Sequence, residues 1–200
     1  MSEIHYAPKG ADAGSPRRAM IESQLRTSGV NEPWVLSAIA RVAREDFVPV
    51  EHRANAYIDR AIPLSGGRAI PAPLFTGKAI AAAEPSKADK ALVVSAGSQY
   101  LAEVIRPLVG SLDVVDAADI AALPGGGYAL ILIDGAAGEV PQALVDALAA
   151  GGRIVTGLDI KGVTHLALGR KTGASVAFVT LSDIGIPAIP EFAAPKRWVL

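Results

Sequence analysis

Asp89–Gly110, DKALVVSAGSQYLAEVIRPLVG, is the stretch whose reading decides the fold. Ala91–Ser95 is a short apolar run containing Val93 and Val94, with charge before it and Gly97 after it, the pattern of a buried strand. From Gln99 to Val109, the residues Leu101, Ala102, Ile105, Leu108 and Val109 recur at helical spacing, so a helix follows at once. A buried strand turning tightly into a helix is where α/β folds hold nucleotides. There the unpaired N–H groups and the positive end of the helix dipole face outward. Such turns usually contain two or three glycines, which let a ligand approach the backbone. Here Ser95-Ala96-Gly97-Ser98-Gln99 contains one.

Upstream, Pro16–Ser28 has a helical pattern through Ala19, Met20, Gln24 and Leu25, closed by Gly29 as a C-cap. Asn31 reads as the N-cap of a second helix, with Pro33 in its first turn and Val35, Leu36, Ile39 and Val42 on its apolar stripe. A short helix is expected over 51–57, then an irregular segment, 59–73, punctuated by Pro63, Gly66, Gly67, Pro71 and Pro73. Long loops of this kind are more often functional than not. Leu74–Glu84 is a further helix, small and apolar on most faces.

Downstream, Leu112–Val115 is a second strand ending in Asp116, and eleven residues, 117–127, separate it from the next. Tyr128–Ile133 (YALILI) is almost wholly apolar, as expected of a central parallel strand buried on both faces. Val140–Ala150 reads as a helix capped by Gly151-Gly152, then Arg153–Thr156 as a strand. His165–Gly169 and Ala174–Leu181 read as an antiparallel pair turning at Lys171-Thr172-Gly173. Strand and helix alternate from 90 to 156, which predicts an α/β fold with a mostly parallel, helix-covered sheet.

Composition narrows the chemistry. The chain of 200 residues is 50% hydrophobic with a net charge of −1, so nucleic acid and acidic membrane surfaces are not expected partners. It has no cysteine, which excludes disulfides, thiolate metal sites and cysteine nucleophiles. The three histidines, His5, His52 and His165, share no metal-ligand spacing, and no metal site is expected. No apolar run reaches membrane-spanning length and residues 1–15 lack a signal-peptide core, so a cytoplasmic location is the expectation. Ser98 stands where a nucleophile elbow would place its serine, yet G-x-S-x-G is absent and only His165 follows as a base.

Three blocks together resemble the protein-L-isoaspartate O-methyltransferase family. MIESQLRTSGV (20–30) with VLSAIARVAREDFVP (35–49) is similar to that family's opening helices. AYIDRAIPLSGGRAIPAP (56–73) is similar to its substrate loop, including Tyr57, Asp59, Pro63, Leu64, Gly67, Ile70 and Pro73. YALILIDGAAGEVPQALVDALAAGGRIV (128–155) is similar to its fourth strand, helix and fifth strand. The resemblance implies a Rossmann-like core with S-adenosylmethionine (SAM) as cofactor and isoaspartyl-bearing proteins or peptides as substrates. Residues 1–15, polar and rich in Gly and Ala, read as a mobile tail, followed by a helical cap and substrate loop over 16–88 and a core over 89–200, with 16–200 expected to form one integrated domain.

The departures fall where that chemistry would sit. A family motif similar to V-L-E-I-G-T-G-S-G-Y reads here as Ala91–Tyr100, with Val93 in place of the carboxylate and Ser95 and Gln99 in place of the outer glycines. A pattern similar to T-I-S-x-P reads Ala69-Ile70-Pro71-Ala72-Pro73, without either hydroxyl. Eleven residues between Asp116 and Tyr128 are too few for a full strand–helix return, so one strand–helix unit is missing.

Gly97, Ser98 and Asp116 are the candidate cofactor contacts, and Asp59 and Ile70 the candidate substrate contacts; no residue reads as a catalyst. Each has a plainer reading beside it. Gly97-Ser98 could merely turn the chain, Asp116 could cap a strand or bind ribose, and Asp59 could bond its own turn. Asp134 ends the central strand, where doubly wound folds place ligands, and stands where the family has a small or hydroxyl residue. Two functions follow: SAM-dependent carboxyl methylation, with no cofactor required if the alternative holds, namely a non-catalytic protein-binding module on the same fold. Oligomeric state is not legible.

Overall fold

The computed structural model describes residues 15–195. The expected N-terminal tail lies outside them except for Ser15. The main sheet contains β3 (Lys90–Ser95), β4 (Ser111–Asp116), β5 (Tyr128–Ala137), β6 (Leu148–Ile160), β7 (Val163–Thr172) and β8 (Ser175–Asp183), and a small hairpin pairs β1 (Ile62–Pro63) with β2 (Ala69–Ile70). The spatial order of the main sheet is β4-β3-β5-β6-β7-β8. Its first four strands run parallel, and β7 and β8 return antiparallel. This is the mostly parallel α/β sheet that the alternation predicts. One strand, β4, lies beyond β3, and a 3-10 run, Ala117–Ala122, stands where a return helix would. The shortened second unit is therefore real.

Helices cover both faces. On one side α2 (Pro33–Arg41), α3 (Pro73–Ala83) and α4 (Tyr100–Ile105) pack with the N-terminal turns, α1 (Pro16–Met20) and the π turn Ile21–Leu25. Their apolar stripes meet Leu130, Leu132 and Val155 of the sheet. On the other side α5 (Gln142–Ala147) and the 3-10 runs Ala117–Ala122 and Pro190–Phe192 cover Leu92, Ile131, Ile133 and Ile154. Alternate residues of β5 serve opposite cores, which is why its sequence is apolar throughout.

Several boundaries differ from expectation for local reasons. Asn31 does not cap α2; Glu32 takes that position without a side-chain cap, and its carboxylate accepts from the Asn31 N–H at 3.1 Å. The 51–57 helix is a 3-10 run, Val50–Asn55. Pro107, lacking an N–H, ends α4 at Ile105 and the chain tightens into a 3-10 turn over Arg106–Leu108. The helix α5 ends at Ala147 rather than at 150. Gly151-Gly152 lies inside β6, where a Cβ on Gly152 would stand 2.8 Å from the Tyr128 carbonyl oxygen.

After β8 the chain returns as a strap across the carboxyl end of β5. Ala136 N–H donates to the Pro187 carbonyl at 2.8 Å, Ile189 N–H to the Ala136 carbonyl at 2.8 Å, and Gly138 N–H to the Phe192 carbonyl at 2.9 Å. Gly135 makes this approach possible: a Cβ there would lie 2.6 Å from Ile189 Cγ1 and 2.9 Å from Cδ1. Gly135→Ala is therefore expected to overpack the strap and lower stability by about 1–3 kcal/mol. Urea unfolding checks it, and a midpoint unchanged from the parent would contradict the packing.

Candidate functional site

The turn between β3 and α4 is the site that the fold places for a ligand. Gly97 occupies it with φ +96°, a conformation that glycine adopts without strain. Ser95 pairs in register with Asp116 at the carboxyl ends of β3 and β4, which sets Asp116 beside the turn that holds Gly97 and Ser98. Their bonding, however, is internal. Ser98 is buried, its hydroxyl donating to the Phe47 carbonyl at 3.4 Å and accepting from the Tyr100 N–H at 3.3 Å. Asp116 caps the following turn, Oδ1 accepting from Ala118 N–H at 3.0 Å.

The other partner of Asp116 is Arg68, which the sequence did not single out. Arg68 Nη1 lies 2.9 Å from Asp116 Oδ1, and its Nε and Nη2 donate to Glu191 on the strap. The Glu191 carboxylate is the first cause of a raised Arg68 pKa, and Asp116 adds to it. The Arg68 loop is closed by Leu64 N–H donating to the Arg68 carbonyl at 2.9 Å, and it turns on Gly66 and Gly67 at φ +70° and +75°. It brings Leu64 and Arg68 against the turn: a Cβ on Gly97 would meet Leu64 Cδ1 at 3.2 Å and Arg68 Nη1 at 3.9 Å.

At this turn Val93 is buried, a Cβ on Gly97 would meet Leu64, and Asp116 is held by Arg68. Two clefts of about 510 and 440 Å³ lie elsewhere, and neither is lined by residues 93–100 or by Asp116.

Asp59 borders the 510 Å³ cleft, together with Arg60, Phe75, Thr164, Ile184 and Ile186. Ile70 does not face it. It is buried in a small cluster with Val48, Ala56 and Ile62, because the β1–β2 hairpin turns it inward. Among the described residues no group of three or more His, Asp or Glu side chains could hold a metal. No helix among them is long and apolar enough to cross a membrane.

Behind the turn two ionisable side chains, Arg44 and Asp134, are buried within each other's field. Arg44 is fully buried, its Nε donating to the Ala56 carbonyl at 2.8 Å and its Nη2 to the Pro71 carbonyl at 2.6 Å. The guanidinium lies 4.9 Å from the Tyr100 ring centre, and Nη1 has no partner among the described residues. Asp134 lies buried within β5, which runs on to Ala137 rather than ending at this aspartate as the sequence suggests. Desolvation pushes its carboxyl up to about 7, opposed only by the field of Arg44. Burial likewise lowers Arg44, with Tyr100 and Asp134 opposing it. For both groups burial outweighs attraction, as expected when oppositely charged groups are buried without direct contact. In the sequence Arg44 stands beside Glu45 and Asp46 in VAREDFV (42–48), so no local pattern marks it as buried.

The model of the family described as protein-L-isoaspartate(D-aspartate) O-methyltransferase matches residues 16–125. The chain belongs to this family. A protein-L-isoaspartate O-methyltransferase of Aeropyrum pernix is 33% identical over 95% of this chain and 86% of its own length. One from Rhodopseudomonas palustris is 29% identical over 92% of this chain and 87% of its own length. A family crystal structure from Plasmodium falciparum, in complex with S-adenosyl-L-homocysteine, superposes with a TM-score of 0.68 at 16% identity, covering 89% of this chain and all of its own. That likeness bears on the isoaspartate methyltransferase fold alone.

Asp134 makes stability depend on pH. The folded chain keeps its proton to about pH 7, whereas the ordinary value is 3.8, so folding takes up a proton between these limits. This contribution is complete below about pH 4, falls as pH rises, and is gone above about pH 7. The stability advantage of Asp134→Asn over the parent is expected to grow by on the order of 2–3 kcal/mol between pH 5 and pH 8. Urea unfolding at the two pH values checks this; equal pH dependence in both proteins would contradict it.

Proposed function

We propose that this isoaspartate methyltransferase family member binds segments of protein chains without transferring a methyl group to them. The observation that carries this reading is the Arg68 clamp. A guanidinium held by Asp116 and Glu191 occupies the acid that would receive ribose, and Leu64 stands at the glycine where a nucleotide would approach. Val93, Ser95 and Gln99 support it, because the backbone and the carboxylate that would receive SAM are altered even if the clamp opens. The 510 Å³ cleft beside Asp59 is within the usual range for ligand sites and gives such a module a concave surface. An isoaspartyl segment remains the natural probe, since it is what the family name describes.

Methyl transfer is the second reading. The 29–33% identity to the two methyltransferases cited above favours it, as does the hanging of the Arg68 loop on two glycines in left-handed conformation. In that case the loop would swing away, SAM would supply the methyl group, and in-line attack by a positioned substrate carboxylate would need no base.

Calorimetric titration with SAM and with S-adenosylhomocysteine separates the two. The parent is expected to give no heat and no thermal shift at millimolar ligand, and Arg68→Ala is expected to remain silent. Micromolar binding by the parent, followed by methylation of an isoaspartyl peptide, would establish the enzyme. Binding by Arg68→Ala alone would show that the clamp, not the altered turn, excludes the cofactor.

A further inference from the structure

Asp134 sits where the sheet holds its backbone least. Pairing with β3 ends at Ile133, and the β5–β6 register breaks between Leu132 and Ala136, so this stretch of β5 faces Thr156 alone. Bulges of this kind re-aim a side chain and recur beside functional sites. Two attachments fix the stretch. The Thr156 hydroxyl donates to the Gly135 carbonyl at 3.2 Å, and the strap bonds both polar groups of Ala136 through Pro187 and Ile189. Pro187 has a second surface: with Ile186, Phe75 and Ala72 it walls the 510 Å³ cleft. The strap therefore stands between that cleft and the β5 segment that carries the buried carboxyl.

The surroundings of the carboxyl make the strap the side that yields. Arg44 is the one charge whose field it feels, and that side chain is tied to the Ala56 and Pro71 carbonyls and packed on the Tyr100 ring. Burial pushes the Tyr100 phenol up to about 12, so it stays neutral. Beyond Arg44, Glu45 and Arg17 are engaged with Tyr57. On the flanking strands Val94, Ser95 and Thr156 bring no ionisable group, and neither does the strap from Ile184 to Pro190. We propose that the strap is a pH-operated flap: when Asp134 ionises, the bonds from Ala136 to Pro187 and Ile189 open, water reaches the carboxylate, and the cleft wall moves. Burial opposes the charged form, and admitting water removes that opposition. Because burial raises the carboxyl to about 7, the flap is closed in mild acid and opens increasingly above neutrality. It acts on the cleft proposed above to receive protein segments, yet it rests on the Asp134 geometry, so either reading can fail without the other.

Native-state hydrogen exchange in low urea tests this. The Ala136 and Ile189 amides are expected to exchange through an opening less urea-dependent than that of Leu92 and Leu130 in the core of the sheet. Corrected for intrinsic exchange, its population is expected to rise roughly tenfold from pH 6 to pH 8, as Asp134 regains its ordinary acidity in the open form. Asp134→Asn, which cannot ionise, is expected to keep the opening and lose the rise. Strap amides that exchange only with the core, an opening indifferent to pH, or a rise that persists in Asp134→Asn would overturn the proposal.

Discussion

Arg68 holds together three parts of the chain that are far apart in sequence. Its guanidinium joins the β1–β2 hairpin loop to Asp116 at the end of β4 and to Glu191 on the C-terminal strap. A planar, forked cation suits this position because it can serve two carboxylates at once. Its side chain is 18% exposed and those of its partners 31% and 28%, so each pair contributes only about 1 kcal/mol after solvent screening. The consequence is chiefly geometric. The clamp fixes the loop, and the loop sets Leu64 and Arg68 against the strand–helix turn at Gly97. Gly135 and Gly138 set the other half of the arrangement by letting the strap lie directly on β5.

Behind the turn stands Asp134, inside β5 and within the field of Arg44. A buried carboxylate without a direct ionic partner is unfavourable in its charged form, so it is protonated over much of the acidic and neutral range. Arg44 is anchored by two carbonyls and an aromatic face, so it is fixed whichever state Asp134 adopts.

The sheet was legible in the sequence because its signals are local and redundant. The valines before Gly97, the apolar run of β5 and the short 117–127 link each specify one element. Elements whose ends depend on tertiary contact were not. Gly151-Gly152 looks like a helix cap, yet Gly152 serves a close strand approach to Tyr128 that no local pattern reports. The strand–turn–helix pattern drew attention to Gly97 and Ser98, and the in-register pairing of Ser95 with Asp116 sets that aspartate at the end of the neighbouring strand. Arg68 was invisible, because its two partners lie 48 and 123 residues away and an arginine in a glycine-rich loop looks like an ordinary surface charge. Ile70 was misplaced for the converse reason: a loop position reads as exposed until the hairpin turns it inward.

A double-mutant cycle between Arg68 and Asp116 at low and high salt tests the clamp most directly. Stabilities of the parent, Arg68→Ala, Asp116→Ala and the double variant isolate the coupling between the two side chains. The clamp predicts a coupling near 1 kcal/mol at low salt that shrinks as salt is added. Strict additivity at both salt concentrations would mean that Asp116 does not hold Arg68, which contradicts the clamp.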